Sequence, residues 1–130
     1  MIIQVGKAIN NILTNDKTVT AKIGKRIFPL IANVDTQFPF VVYRRNSIIP
    51  VDSKDKFSHE ESATIEVVIA ANSYNESIEI AELISKSLQG KKGNFSGVEI
   101  KKIQLTEAAE DFIEDTYIQR LTFIITTISE

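Results

Sequence analysis

The chain has 130 residues, a typical length for one domain with a single hydrophobic core. It contains no cysteine, which excludes disulfides, thiolate metal sites and cysteine nucleophiles, and His59 is its one histidine. The net charge is −2, with +5 over residues 1–59 and −7 over residues 60–130. Either the two halves interleave in space, so that the charges mix, or the surface has a positive and a negative side. A two-signed surface suits head-to-tail packing of identical subunits.

The composition is that of an ordinary globular protein, with 43% hydrophobic and 25% charged residues. No apolar run reaches the ~18 residues that a membrane span needs. The first ten residues, MIIQVGKAIN, lack the features of a signal peptide. We therefore expect a soluble protein of a reducing cytoplasm. The basic excess of the first half is too small to predict nucleic-acid binding.

Two helices are predicted at the start of the chain. Apolar residues recur at helical spacing over residues 2–14, with polar residues on the other side. A shorter helix is expected over residues 18–23, because Gly24 is a typical helix terminator.

Two strands are predicted next. Residues 27–28 favour a short strand, and residues 40–45, FVVYRR, are rich in strand formers. The alternation of a strand places Arg44 and Arg45 on opposite faces. These arginines either contact an anionic partner or pair across the sheet with Glu66.

Residues 46–61, NSIIPVDSKDKFSHEE, predict a long polar loop around Pro50. Loops of this length in a compact domain are usually functional or disordered. It contains Lys54, Lys56 and His59. We expect the loop to be mobile until it packs against a neighbour. The polar surroundings of His59 favour a surface histidine over a catalytic one.

A strand and a helix are predicted after this loop. Residues 63–71, ATIEVVIAA, alternate in a way that predicts one well-buried face. Ser73 and Glu76 have the spacing of a capping box, so an amphipathic helix is expected from there to Gly90. Residues 91–97, KKGNFSG, predict a turn-rich loop.

The C-terminal part predicts two further strands. Residues 98–105 alternate with one irregularity, and residues 117–128 form the longest strand candidate. Between them, residues 107–115 carry five carboxylates and are expected to form a loop or a partial helical turn. The acidic run is either a cation site or acid–base pair, or a solvated negative patch. The missing ligand spacing of a calcium loop favours the solvated patch.

The predicted fold class is α+β, in one domain over residues 1–130. An antiparallel or mixed sheet of about four to five strands carries two main helices on one face. Several strands are apolar on both faces, and helices can cover only one of them. The uncovered apolar residues must pack under the polar loop or against another subunit, which indicates oligomerisation.

No catalytic, cofactor or metal site is predicted from these patterns. Instead, the residues expected to contact a partner are charged and lie in the arginine pair, the polar loop and the acidic run: Arg44, Arg45, Lys54, Lys56, Glu107, Glu110, Asp111, Glu114 and Asp115.

The order of several short segments resembles the tail-completion family of tailed bacteriophages and prophages. An N-terminal helix precedes KRIFPLIA at residues 25–32 and FPFVVYR at residues 38–44. A polar loop and a strand then lead into ANSYNESIEIAELISKSLQG at residues 71–90, and EDFIEDTYIQRLTFII follows at residues 110–125. The resemblance spans nearly the full chain and rests on the order and spacing of these segments.

The resemblance implies a tail terminator or head–tail joining protein. Its α+β subunits would form a ring, commonly a hexamer, at the head-proximal end of the tail tube. Its partners would be other copies of itself, the tail-tube protein and the head connector, first in the host cytoplasm and then in the virion. DNA would pass through the lumen without sequence-specific binding, and no enzymatic step or cofactor would be involved.

Two other functions remain open at this stage. A small ligand-binding or regulatory module of a bacterial cell would have an enclosed apolar pocket with a few convergent polar groups. A hydrolase would use His59 with an acidic neighbour.

Overall fold

Three helices pack on one face of a six-stranded sheet in the computed structural model, which describes residues 2–49 and 60–128. A 3-10 turn, Ile2–Gln4, precedes the first helix. The helices are α1 (Val5–Thr14), α2 (Lys17–Ile23) and α3 (Tyr74–Leu88). The strands are β1 (Ile27–Pro29), β2 (Phe40–Ile49), β3 (Glu60–Ala71), β4 (Gly93–Phe95), β5 (Val98–Ile113) and β6 (Thr116–Ile128).

The sheet is mixed, with the strand order β1-β2-β3-β6-β5-β4. Of the five pairings in the described part of the chain, that of β1 with β2 is parallel and the four others are antiparallel. Strand β3 pairs with β6 along its whole length, from Glu60 opposite Ile128 to Ala71 opposite Tyr117. The two outermost strands, β1 and β4, have three residues each, so they cover only part of the longer strands beside them.

The core lies between the helices and the sheet face that they cover. Alternate residues of the central strands point into it, and Ile65 of β3 and Phe123 of β6 are fully buried. Helices α1 and α3 contribute Ile9 and Ile84, which are also fully buried. The predicted inward face of β3 is confirmed, because Ala63, Ile65, Val67 and Ile69 are all inaccessible.

Helix α3 begins as its sequence predicts. The Ser73 hydroxyl accepts a hydrogen bond from the Glu76 N–H at 3.2 Å, which satisfies one of the unpaired donors of the first turn. The helix ends at Leu88, and Gly90 follows with a φ of +78°, a conformation that favours glycine. The Gly90 N–H donates to the carbonyl oxygen of Ile103 in β5, so the end of the helix is tied to the sheet.

Helix α2 begins with a charged cap. Asp16 Oδ1 accepts from the Thr18 hydroxyl at 2.6 Å and from the Thr18 N–H at 2.9 Å. These hydrogen bonds, with the hydroxyl contact the strongest, lower the pKa of Asp16 below its ordinary value of 3.8. Ionised Asp16 therefore stabilises the fold fully above that ordinary value, and its contribution is lost as the pH falls below it.

Replacing Asp16 with alanine should lower the free energy of unfolding at pH 7 by ~1 kcal/mol, the usual cost of removing a capping side chain. The loss should shrink as the pH is lowered through the acid range, because the wild-type carboxylate then protonates. Urea unfolding at pH 7 and at acid pH measures both effects. Asp16→Asn is the matched control, since asparagine caps a helix without ionising, and an equal loss from alanine at both pH values would contradict the assignment.

The α+β class and the single helical layer are confirmed, but the predicted counts were too low. Among the described residues, the sheet has six strands instead of four or five, and three helices cover it instead of two. The predicted loop over residues 91–97 was wrong, because Gly93–Phe95 form β4 and pair with the start of β5. The short helix predicted before Gly24 is confirmed as α2, and it packs against α1 and α3.

The predicted loop over residues 46–61 was wrong at both ends. Residues 46–49 belong to β2, and residues 60–61 belong to β3, where they pair across the hairpin and with β6. A register shift between Arg45 and Ser47 resets the alternation of β2, so the strand continues although its pattern breaks. The predicted mobility falls mainly on residues 50–59, which lie outside the described residues.

Candidate interaction surface

Within residues 2–49 and 60–128, no helix covers the second face of the sheet, which we call the outer face. Rows of directly opposite residues run across it, because partners in adjacent strands share a face. One row carries Arg44, Glu66, Thr122 and Glu107, the next carries Val42, Val68, Arg120 and Ala109, and a third carries Phe40, Ala70, Ile118 and Asp111. Most of the central side chains in these rows are half-buried, and the outer face therefore mixes apolar and charged groups.

The charged groups of the outer face form a short ion-pair network. Arg120 lies at its centre, with Nη1 3.8 Å from Glu66 and Nη2 4.0 Å from Asp111. All three side chains are partly exposed, so each contact is worth at most ~1 kcal/mol. The network orients one cation and two carboxylates on the face that the helices leave open.

The arginine pair divides between the two faces, as the alternation predicts. Arg44 lies directly opposite Glu66 in the strand register, but Glu66 makes its ion pair with Arg120. Arg45 lies on the helical side, where its Nη1 donates to the carbonyl oxygen of Ile3 at 2.8 Å. Arg44 is therefore the arginine that is exposed on the outer face, and Arg45 has a local structural contact.

The acidic run is not a loop, and this prediction was wrong. Glu107, Glu110 and Asp111 lie within β5, which pairs with β6 up to Ile113 opposite Thr116. The register is reset twice along β5, between Ile100 and Lys102 and again between Leu105 and Glu107, and the irregularity expected in this strand is thereby confirmed. Charged residues occupy this part of β5 because it lies near the edge of the sheet, beyond the reach of the core.

The last two acidic residues form a tight turn. Glu114 and Asp115 connect β5 to β6, and both have positive φ angles, +51° and +59°. Two consecutive left-handed residues define a type I′ hairpin turn, for which asparagine and glycine are preferred. The turn therefore holds two carboxylates in a backbone conformation that costs roughly 1 kcal/mol or more per ordinary residue.

Replacing the turn by Asn-Gly (Glu114→Asn with Asp115→Gly) should raise the free energy of unfolding by about 1 kcal/mol, because these residues tolerate positive φ. Thermal or urea unfolding measures the gain. Glu114→Gln is the control, since it removes a charge but keeps the conformational cost. A double variant no more stable than wild type would show that the turn is not strained.

Glu110 ties the hairpin to α3. Its carboxylate accepts a hydrogen bond from the Tyr74 hydroxyl at 2.9 Å and one from Gln119 Nε2 at 3.2 Å. The hydrogen bond to Glu110 and the charge of that carboxylate raise the pKa of Tyr74. Gln119 Nε2 also lies 3.2 Å from Ser77 Oγ inside the protein. The carboxylate of Glu110 is thus engaged within the subunit, and Glu110 has a structural role more than the predicted role in contacting a partner.

These groups line a cleft of about 220 Å³ near the turn of the hairpin. Phe112 and Tyr117 add an aromatic wall, with ring centres 4.9 Å apart. Gln119 is not among the residues predicted from the sequence, although a signal existed, because it is the one amide among the inward-facing positions of β6. The hydrogen bond from Tyr74 to Glu110 joins this end of the hairpin to α3.

Two predicted contact residues, Lys54 and Lys56, lie outside the described residues, and so does His59. Within residues 2–49 and 60–128, no three histidine or acidic side chains are placed to hold a metal ion. In the same ranges, none of the helices is both long and apolar enough to cross a membrane.

Comparison with known proteins agrees with the fold and identifies the family. The structure is similar to a chain from the virion of a native gene transfer agent particle, with a TM-score of 0.78 and 15% identity over 94% of this chain and 92% of that one. It is also similar to the gp17 protein of bacteriophage SPP1, with a TM-score of 0.56 and 18% identity over 98% of this chain and 90% of that one.

A comparison with curated protein sequences finds no significant match. Residues 7–130 match the sequence profile of the family described as tail completion protein gp17. The chain therefore belongs to the tail completion protein gp17 family, and its role is that of a structural protein in the completion of phage tails.

Proposed function

We propose that the chain is the subunit of a ring that closes the head-proximal end of a phage tail tube and joins it to the head connector. The family match over residues 7–130 carries this proposal. The ring would act as a tail terminator or joining piece by shape alone, with no catalytic step. Its site of action would be the virion, after assembly in the host cytoplasm.

The surface of the subunit supports a role in assembly. Apolar side chains such as Val42, Val68 and Ile124 lie on the outer face, which none of the described helices covers. Apolar side chains that are open to solvent in a monomer gain stability when a partner covers them. Leu30 and Ile31, in the segment after β1, are 72% and 79% exposed and are further apolar side chains open to solvent.

The charged residues would steer these contacts. Arg44 is exposed on the outer face, and Glu114 and Asp115 stand exposed at the hairpin turn. Groups of opposite sign at separate places on one subunit favour a heterologous contact, in which one patch meets a different patch of the neighbour. We include Lys54 and Lys56 in this surface on the sequence alone. Acidic turns that face a central channel would repel DNA and let it slide through.

Size-exclusion chromatography with light scattering tests the proposal. We expect the protein to form a closed oligomer, either alone at raised concentration or when purified tail-tube protein is added. The tail-tube protein is needed as a second condition, because a terminator can assemble on the tube alone. A strict monomer at every concentration that also leaves tube assembly unchanged would contradict the proposed function.

A further inference from the structure

Both edges of the sheet contain long stretches without a neighbouring strand. Strand β1 pairs with β2 only as far as Tyr43. Among the described residues, Arg44–Ile49 of β2 therefore have a neighbouring strand, β3, on one side only. Leu30 has a φ of +66°, at the point where the chain leaves the end of β1. At the other edge, β4 pairs with β5 only from Val98 to Ile100.

The middle of β5 is protected by the end of α3. The Gly90 N–H donates to the carbonyl oxygen of Ile103 at 3.1 Å, and Gln89 Oε1 accepts from the Leu105 N–H at 2.7 Å. Beyond this point the described residues provide no such cover, and residues 106–113 form an open edge. Unpaired strand edges are templates for another strand, and proteins usually block them.

Backbone donors on the open part of β5 point away from the sheet. In a hairpin with a two-residue turn, the flanking pair Ile113 and Thr116 is hydrogen-bonded, so bonded and non-bonded pairs alternate from there. The N–H groups of Ala108, Glu110 and Phe112 therefore point outward. The Phe112 N–H agrees with this, since it donates to the neighbouring Asp111 side chain at 3.0 Å instead of to β6.

The two open edges lie at opposite ends of one sheet, and their directions match. Strand β5 runs antiparallel to β2, because each of the three pairings between β2 and β5 in the strand order is antiparallel. A second copy placed beside the first could therefore add its β2 edge to the β5 edge as an antiparallel strand. The outer faces of both copies would stay on the same side, and repeating this head-to-tail contact produces a ring or a helix.

The charges of the two edges are complementary on the outer face. Arg44 lies on the open part of β2, whereas Glu107 and Asp111 lie on the open part of β5. All three side chains are exposed. Among the described residues, Arg44 makes no ion pair, and Asp111 makes one long contact, 4.0 Å to Arg120. Strand addition between two copies would bring the cation of one edge next to the carboxylates of the other.

We propose that the open edge of β2, Arg44–Ile49, pairs with the open edge of β5, residues 106–113, of a second copy of this chain, so that the sheets join around the ring. The inference rests on the proposed function, because it names the contact by which the ring subunits associate. Main-chain hydrogen bonds supply the affinity. Antiparallel overlap of the two open segments places Arg44 opposite Asp111, and the charges of these two residues set the register.

Charge reversal tests this contact. Arg44→Glu and Asp111→Lys should each weaken self-association at least tenfold, because each places like charges across the joined strands. An equimolar mixture of the two variants should assemble again, since each can pair with both edges of the other in alternation. The matched controls carry the same changes in charge at other places. They are Lys7→Glu, on the exposed side of α1, and Glu99→Lys, on the part of β5 covered by β4. Light scattering over a concentration series, with tail-tube protein where the wild type needs it, measures all of these.

A second variant tests the main-chain bonds directly. Ala108→Pro removes an N–H that points outward, so the subunit should still fold but lose self-association at least tenfold. Ala108→Thr is the control, because it keeps the N–H and suits a strand. Circular dichroism checks folding. Amide exchange at Ala108 and Glu110 should slow on assembly of the wild type.

The outcomes separate the two proposals. In one outcome the wild type assembles, and the two charge-reversal variants, their mixture and Ala108→Pro all assemble like the controls. The proposed edge contact is then wrong, but the proposed ring function is not contradicted. If the wild type never assembles, with or without tail-tube protein, both proposals fail.

Discussion

Truncating the buried ring of Phe123 to alanine is expected to lower the free energy of unfolding by ~3–5 kcal/mol. Phe123 lies on the inward face of β6, is fully inaccessible, and is the bulkiest of the fully buried side chains. Its strand is central in the sheet, between β3 and β5, so the surrounding backbone cannot move inward to fill the cavity. The loss is a large share of the 5–15 kcal/mol that holds a typical domain folded.

Ile124→Ala is the matched control for this prediction. Ile124 is the next residue of the same strand, but it lies on the outer face and is only half-buried. In the isolated subunit this change should cost clearly less than the change at Phe123, because water already reaches part of the side chain. Urea unfolding of dilute protein measures both. Equal losses at the two positions would contradict the division of the sheet into a covered face and an open face.

The second large effect is expected at α3. Ile84→Ala should lower the free energy of unfolding by ~2–5 kcal/mol, since the side chain is fully buried against the sheet in a helix that contacts both β3 and β6. The helix itself should persist, because alanine has the highest helix propensity. The loss would therefore report on packing between helix and sheet.

Glu82→Ala on the exposed side of α3 is the control, and it should change the stability by less than about 0.5 kcal/mol. Unfolding curves followed by circular dichroism, with the slope against urea checked for constancy, measure both variants. A loss below 1 kcal/mol for Ile84→Ala would show that α3 does not pack on the sheet as described.

The elements that the sequence predicted best are those with an unbroken pattern. The alternation of residues 63–71 predicted β3 and its buried face, and the spacing from Ser73 to Gly90 predicted α3 with its cap. In each case a local period reports which side chains face the core, and that information lies within one segment.

The elements that were missed have an interrupted pattern or little apolar content. Strand β4 has three residues, GNF, and its positions are stabilised by pairing with β5 and by the contact of Phe95 with the core. The acidic run over residues 107–115 is predicted as a loop, since its five carboxylates favour solvent. Up to Ile113 it is a strand because β6 offers a complete row of backbone partners, while its side chains point into water near the edge of the sheet.

The candidate contact residues illustrate the same limit. Their charge was visible in the sequence, but their position was not. Only the register showed that Arg44 shares the outer face with Glu107, that Arg45 is held by the carbonyl oxygen of Ile3, and that Glu110 is occupied by Tyr74 and Gln119.

The sequence by itself determined the α+β class, the buried faces of the longest elements and, through the order of its segments, the tail-completion family. The tertiary structure decided the extent of β2 and β5, the position of the acidic turn and the two open edges of the sheet. The physical reason is that side-chain burial repeats with a local period, whereas strand order and backbone pairing join residues far apart in the chain. No local sequence pattern reports that pairing. The strand pairing alone determines which edges of the sheet are open to a second copy.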